Sequence, residues 1–186
     1  MNKLQLRLIY KLLAFTLVFF LGCGFQTSFW PNIISFMPGP QIWLIVLMYI
    51  TIKWKSIYNI FFIYFLTYCL TAFSDIPIKM LWCTWPIIYF VMISVKNRIQ
   101  LSGVFSFIVF SFAGSLLFEV SYYFLSDILE ATPTTVMFVD RLVQILTNFI
   151  FSYFVYFLLD FVDRMTLAQE DWRDSSVKNH NSESIV

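Results

Sequence analysis

Long apolar stretches dominate the chain, and polar residues collect in the short intervals between them. Six such stretches stand out, at about residues 8–24, 40–52, 56–73, 80–95, 101–126 and 141–162. An apolar run of about 20 residues is long enough to cross the hydrocarbon core of a bilayer as a helix. The short alternation of apolar and polar residues that a membrane barrel needs is absent. The pattern predicts an all-α membrane protein, a polytopic bundle of six transmembrane helices over residues 1–165. A polar tail follows at 166–186, and its Ser, Asn and acidic content predicts disorder. The second and fourth stretches are short, and Pro86 falls inside the fourth, so a kink or partly re-entrant passage is expected there. Trp30-Pro31 and Pro38-Gly39-Pro40 are expected to stop the first helix and keep the loop after it non-helical.

Composition narrows the class further. Of 186 residues, 60% are hydrophobic, 21% aromatic and only 12% charged, whereas an average soluble domain is about a quarter charged. Such a chain cannot cover a water-facing surface. A net charge of +1 with no basic stripe argues against a nucleic-acid partner. The placement of charge is informative all the same. If the N-terminus is inside, ten of the twelve basic residues fall on the inner side, and only Lys79 and Arg141 fall outside. This asymmetry predicts that both termini are cytoplasmic. A rival reading takes Lys3, Arg7 and Lys11 with the following apolar run as a signal peptide, ending loosely like a lipoprotein box at Phe20-Leu21-Gly22-Cys23. Few small residues in that run favour a retained helix, and the remaining topology is the same either way. Trp30, Trp43, Trp54, Trp82 and Trp85 all lie near expected span ends, where amphipathic rings favour the interface.

Candidate chemistry is sparse. Cys23, Cys69 and Cys83 sit in apolar surroundings at spacings that fit no zinc or redox pattern, and the only histidine, His180, is in the tail. No metal or cofactor is expected. An ionisable group at membrane depth is costly and counts as a functional candidate, and Glu119 is the clear case. It shares a helical face with Ser115 and Ser111, while Gln144, Asn148, Ser152, Tyr156 and Asp160 form a stripe at steps of four on the last helix. Glu119 and Asn148 both come out about 10–12 Å from the outer end at 1.5 Å per residue, so the two stripes are expected to pack together. Two readings of the cluster Glu119, Ser115, Gln144 and Asn148 stay open: a substrate or proton site, or a hydrogen-bonded packing contact. Asn59, Thr67, Thr71 and Asp75 make a further stripe in which Asp75 ends the third helix. It is either a loop acid or a partner for Lys79 or Arg141. Ser102, Ser106, Ser111, Gly114 and Ser115 permit close helix approach. No nucleophile, phosphate-loop or dinucleotide motif is present, and the chain is not expected to be an enzyme.

This layout resembles the rod shape-determining MreD family of small polytopic membrane proteins. The matching residues are Pro38-Gly39-Pro40, the apolar stretch 42–52, and Thr71-Ala72-Phe73-Ser74-Asp75 closing the third helix. Asp75 stands at the family's motif position, while the glycines typical of that motif are replaced by Thr67, Thr71 or bulky residues. The resemblance implies a non-enzymatic scaffold of the cell-elongation machinery in the bacterial cytoplasmic membrane. Its implied partners are a bitopic MreC-like protein and the cell-wall synthesis complex, linked to the actin-like MreB, with no small-molecule ligand. The implied fold is similar to the substrate-binding components of energy-coupling-factor vitamin transporters, and that function is the alternative. Stretch 12–20 has only Ala14 as a small residue, which tilts the choice toward the scaffold. Aromatic residues beside the Pro-rich turns suit a dock for a partner's helix, and Trp30, Phe36, Trp82 and Trp85 are the expected partner-binding residues.

Overall fold

The computed structural model describes residues 3–54, 58–98, 103–130 and 138–166. Among them there is no strand. The helices are α1 (Lys3–Gly24), α2 (Trp30–Ile33), α3 (Ile42–Lys53), α4 (Tyr58–Leu70), α5 (Ile78–Arg98), α6 (Gly103–Leu129) and α7 (Phe138–Thr166). Four runs are long and apolar enough to cross a membrane: Leu8–Ile33, Ile78–Lys96, Gly103–Leu129 and Phe138–Thr166. The other two apolar helices, α3 and α4, are shorter, at 12 and 13 residues. The polar tail expected to be disordered lies beyond Thr166, outside the described residues, as does Ser102.

Two proline readings are corrected. Pro31 does not stop the first helix, because a π-helical turn, Phe25–Phe29, joins α1 to α2, and Pro31 occupies the first turn of α2. Trp30 donates its backbone N–H to the Phe25 carbonyl, five residues back. That wider turn gives a proline ring the room a regular α-turn denies it. Pro86 does not interrupt its helix either. It lies inside the continuous 21-residue α5, so no re-entrant passage forms. The third stretch ends earlier than expected. α4 closes at Leu70, and Thr71, Ala72 and Phe73 bond three residues back in tighter turns. Asp75 therefore stands past the helix and is exposed.

The architecture centres on α3. Every residue from Ile42 to Ile52 is buried, so this helix is apolar on all sides because it has neighbours on all sides. α1, α4, α5, α6 and α7 surround it. Trp43 belongs to this core and not to a membrane interface, for it packs edge-on against Phe118. Tyr49 stacks with Phe15 and meets Phe107 and Tyr156. Two glycines set how closely the surrounding helices approach. A Cβ on Gly22 would stand 2.6 Å from Ile42 Cγ2, and one on Gly114 would stand 2.8 Å from Met48 Sδ. On the outside, Phe61, Phe90, Phe105, Phe154 and Phe161 are exposed apolar groups suited to lipid tails.

Candidate functional site

At 1.5 Å per residue, α3 is about 18 Å long, well short of a bilayer's roughly 30 Å core. Its ends therefore fall inside the bundle, where each unpaired backbone group costs several kcal/mol. Side chains from other helices reach one N–H at its start and two carbonyls at its end. At the N-terminal end, Gln41 is the capping residue, and its backbone N–H donates to Asn148 Oδ1 of α7 at 2.6 Å. Asn148 Nδ2 donates in turn to Gln41 Oε1 at 3.0 Å and to Ser115 Oγ of α6 at 3.2 Å. Asn148, Ser115 and Gln41 are all buried. One carboxamide thus ties three segments together at the head of the central helix.

One turn further out lies Glu119. Gln41 Nε2 donates to its Oε1 at 3.3 Å, and Arg141 Nη1 approaches its Oε2 at 3.2 Å. The same Nη1 reaches Gln144 Oε1 at 3.4 Å, and Gln144 Nε2 reaches the Gly39 carbonyl at 3.5 Å. The expected registry of Glu119 with Asn148 is thereby shifted. Ser115 is level with Asn148, and Glu119 is level with Arg141, joined to Asn148 only through Gln41. The ion pair is lopsided, with the Glu119 side chain 11% exposed and that of Arg141 37% exposed. Beside it, between α6 and α7, opens a groove of about 440 Å³. Leu116, Val120, Leu142 and Ile145 line it together with Glu119 and Arg141.

The remaining residues singled out from the sequence scatter. Lys79 donates to the Leu129 carbonyl at 2.9 Å, and Arg141 is engaged with Glu119, so neither serves Asp75 as its expected ion-pair partner. Trp85 is corrected as a partner-binding residue, since it is only 3% exposed and packed in the core. Trp30 is half-buried, donating its indole N–H to the Met37 carbonyl and packing edge-on against Phe151. Trp82 is exposed beside Tyr64, and Phe36 is 84% exposed.

At the other end of α3, Lys96 of α5 donates to the carbonyls of Thr51 and Trp54 at 3.1 and 3.5 Å. This is a cation placed on the negative end of a helix dipole. Lys11 of α1 pairs with Asp163 of α7 at 2.5 Å and lies 4.6 Å over the Trp54 ring. Asp160 sits 3.9 Å from Lys53 and 2.8 Å from Arg164.

Gln41, Arg141 and Lys96 escaped the sequence reading as site residues. Signals for two of them existed. Gln41 directly follows Pro38-Gly39-Pro40 at the start of an apolar run, a capping position. Arg141 stands three and seven residues before Gln144 and Asn148, on their helical face. Comparison with protein-family models, with curated proteins and with solved structures finds no match to the chain.

Proposed function

We propose that this chain is a non-enzymatic, multi-pass membrane scaffold that crosses the bilayer six times with both termini in the cytoplasm. The observation that carries this reading is how the intramembrane polar groups are spent. Gln41, Ser115, Glu119 and Asn148 are joined in one hydrogen-bonded chain at the head of α3, and Gln144 bonds Arg141 and the Gly39 carbonyl beside it. Groups committed to capping a central helix serve rigidity, and a rigid bundle suits a protein whose work is to hold others. Within that class, Pro38-Gly39-Pro40 before α3 and Asp75 after α4 favour a role like that of the MreD family, in bacterial cell elongation. The partner would be a single-span membrane protein, docking at the exposed Phe36 and the half-buried Trp30.

Crosslinking from Phe36 in native membranes tests the docking face. Capture of a single-span protein is the expected outcome, and labelling of lipid alone in a functional protein would overturn it. Reporter fusions at Val186 and Thr134 test the topology, with cytoplasmic and external behaviour expected respectively. An external Val186 would mean an odd number of crossings. One feature favours the second reading, a substrate-binding component of an energy-coupling-factor transporter: the groove beside Glu119 and Arg141. Co-purification with a vitamin and paired ATPases would select that reading over the scaffold.

A further inference from the structure

The groove between α6 and α7 opens beside the polar cap of α3, which it shares only through Glu119, and its chemistry is specific. Its walls are apolar and lie on the outer flank of two helices long enough to cross a membrane, with Val120 and Leu142 exposed. Its volume of about 440 Å³ falls within the range of built small-molecule sites. One charged donor lines it. Arg141 makes all its contacts to Glu119 and Gln144 through Nη1, so among the described residues its Nε and Nη2 groups have no partner. A guanidinium whose Nε–Nη2 edge is free matches a phosphate.

The surrounding charge narrows the ligand. Asp127 and Glu130 follow on the last turn of α6 and just past it, and Asp140 immediately precedes Arg141 in the first turn of α7. Asp127 and Asp140 are exposed, and the nearby Lys79 donates to the Leu129 carbonyl. A purely anionic headgroup would meet these carboxylates with nothing to offer them. A phosphate joined to a primary ammonium would satisfy both signs.

Resting on the membrane reading above, we propose that this groove binds a zwitterionic aminophospholipid. Its phosphate sits on Arg141, its ammonium faces Asp127 and Asp140, and an acyl chain runs along Leu116, Val120 and Leu142.

The test uses the full chain in nanodiscs carrying equal amounts of tail-photoreactive phosphatidylethanolamine, phosphatidylcholine or phosphatidylglycerol. Phosphatidylethanolamine is expected to label α6 and α7 groove peptides about tenfold more than either of the others, equivalent to roughly 1.4 kcal/mol of headgroup preference. Val120→Trp puts an indole into the groove while leaving Glu119 and Arg141 in place, and should abolish that labelling while labelling of other helices persists. Arg141→Gln should remove the headgroup preference and leave tail labelling. Equal labelling by the three lipids, or labelling indifferent to Val120→Trp, overturns the site. Crosslinking of a partner's helix from Leu142 in native membranes, in place of lipid, overturns it as well. Carbonate extraction separates the two levels of failure: a chain released from the membrane sinks both readings, whereas an inserted chain labelled without headgroup preference sinks only the lipid site.

Discussion

Asn148 shows what a single side chain does in this bundle. Its carboxamide accepts from one backbone N–H and donates to two oxygens, a combination that neither a hydroxyl nor an apolar group supplies. Replacing it by leucine leaves the buried Gln41 N–H without its acceptor. Asn148→Leu should therefore lower stability by about 1–3 kcal/mol, read from denaturant titration of helicity in bicelles. An unchanged midpoint would show that the capping bond contributes nothing. Glu119 offers a finer comparison, since glutamine keeps an acceptor for Gln41 and Arg141 while leucine strands both. Glu119→Leu is expected to be less stable than Glu119→Gln by about 1–2 kcal/mol. If a stably inserted Glu119→Gln protein lost all function, the carboxylate would be working as a charge and not as a packing contact.

Among elements, α3 explains which features can be read from the sequence and which cannot. In a soluble protein, apolar positions mark the inside. Here lipid is as apolar as the core, so hydrophobic periodicity cannot separate the fully enclosed α3 from the lipid-facing flanks of α6. Polarity is the usable signal, and it points inward: Ser111, Ser115, Asn148 and Ser152 are all buried. That is why the α6 and α7 stripes are legible and the central position of α3 is not. The π-turn before Pro31 depends on backbone hydrogen-bond register, to which residue identity is nearly blind. Gly114 belongs to the legible set, and its partner Met48 does not. Any side chain there collides with a fully buried methionine. Gly114→Leu should cost about 1–3 kcal/mol through overpacking. Gly114→Ala should cost less, and Met48→Ala should cost less in the Gly114→Ala chain than it does alone because the two sites couple directly. Strict additivity of the two single changes would show that α3 and α6 do not meet there.

For the whole molecule, the two ends of α3 are held by different chemistry. The N-terminal end is held by neutral carboxamides and one ion pair, the C-terminal end by a cluster of charges. Polar bonds between uncharged groups suit a position deep in the bundle, whereas ionised groups suit helix ends near headgroups and water. In that cluster, Lys11 and Asp163 join the helix nearest the N-terminus to the last one, with side chains only 7% and 12% exposed. Breaking such a pair from one side leaves a charge enclosed without a counterion, which costs about 3–5 kcal/mol, whereas replacing both partners by apolar groups is often neutral. Lys11 also covers the Trp54 ring, and a methionine at that position keeps most of this apolar cover. Lys11→Met alone should therefore sharply destabilise the bundle and loosen α1 first, seen as faster hydrogen exchange in α1 than in α6. Lys11→Met combined with Asp163→Leu should restore most of the lost stability. If the double variant is as unstable as the single one, the two residues are not partners, and α1 is held to α7 by its apolar contacts alone.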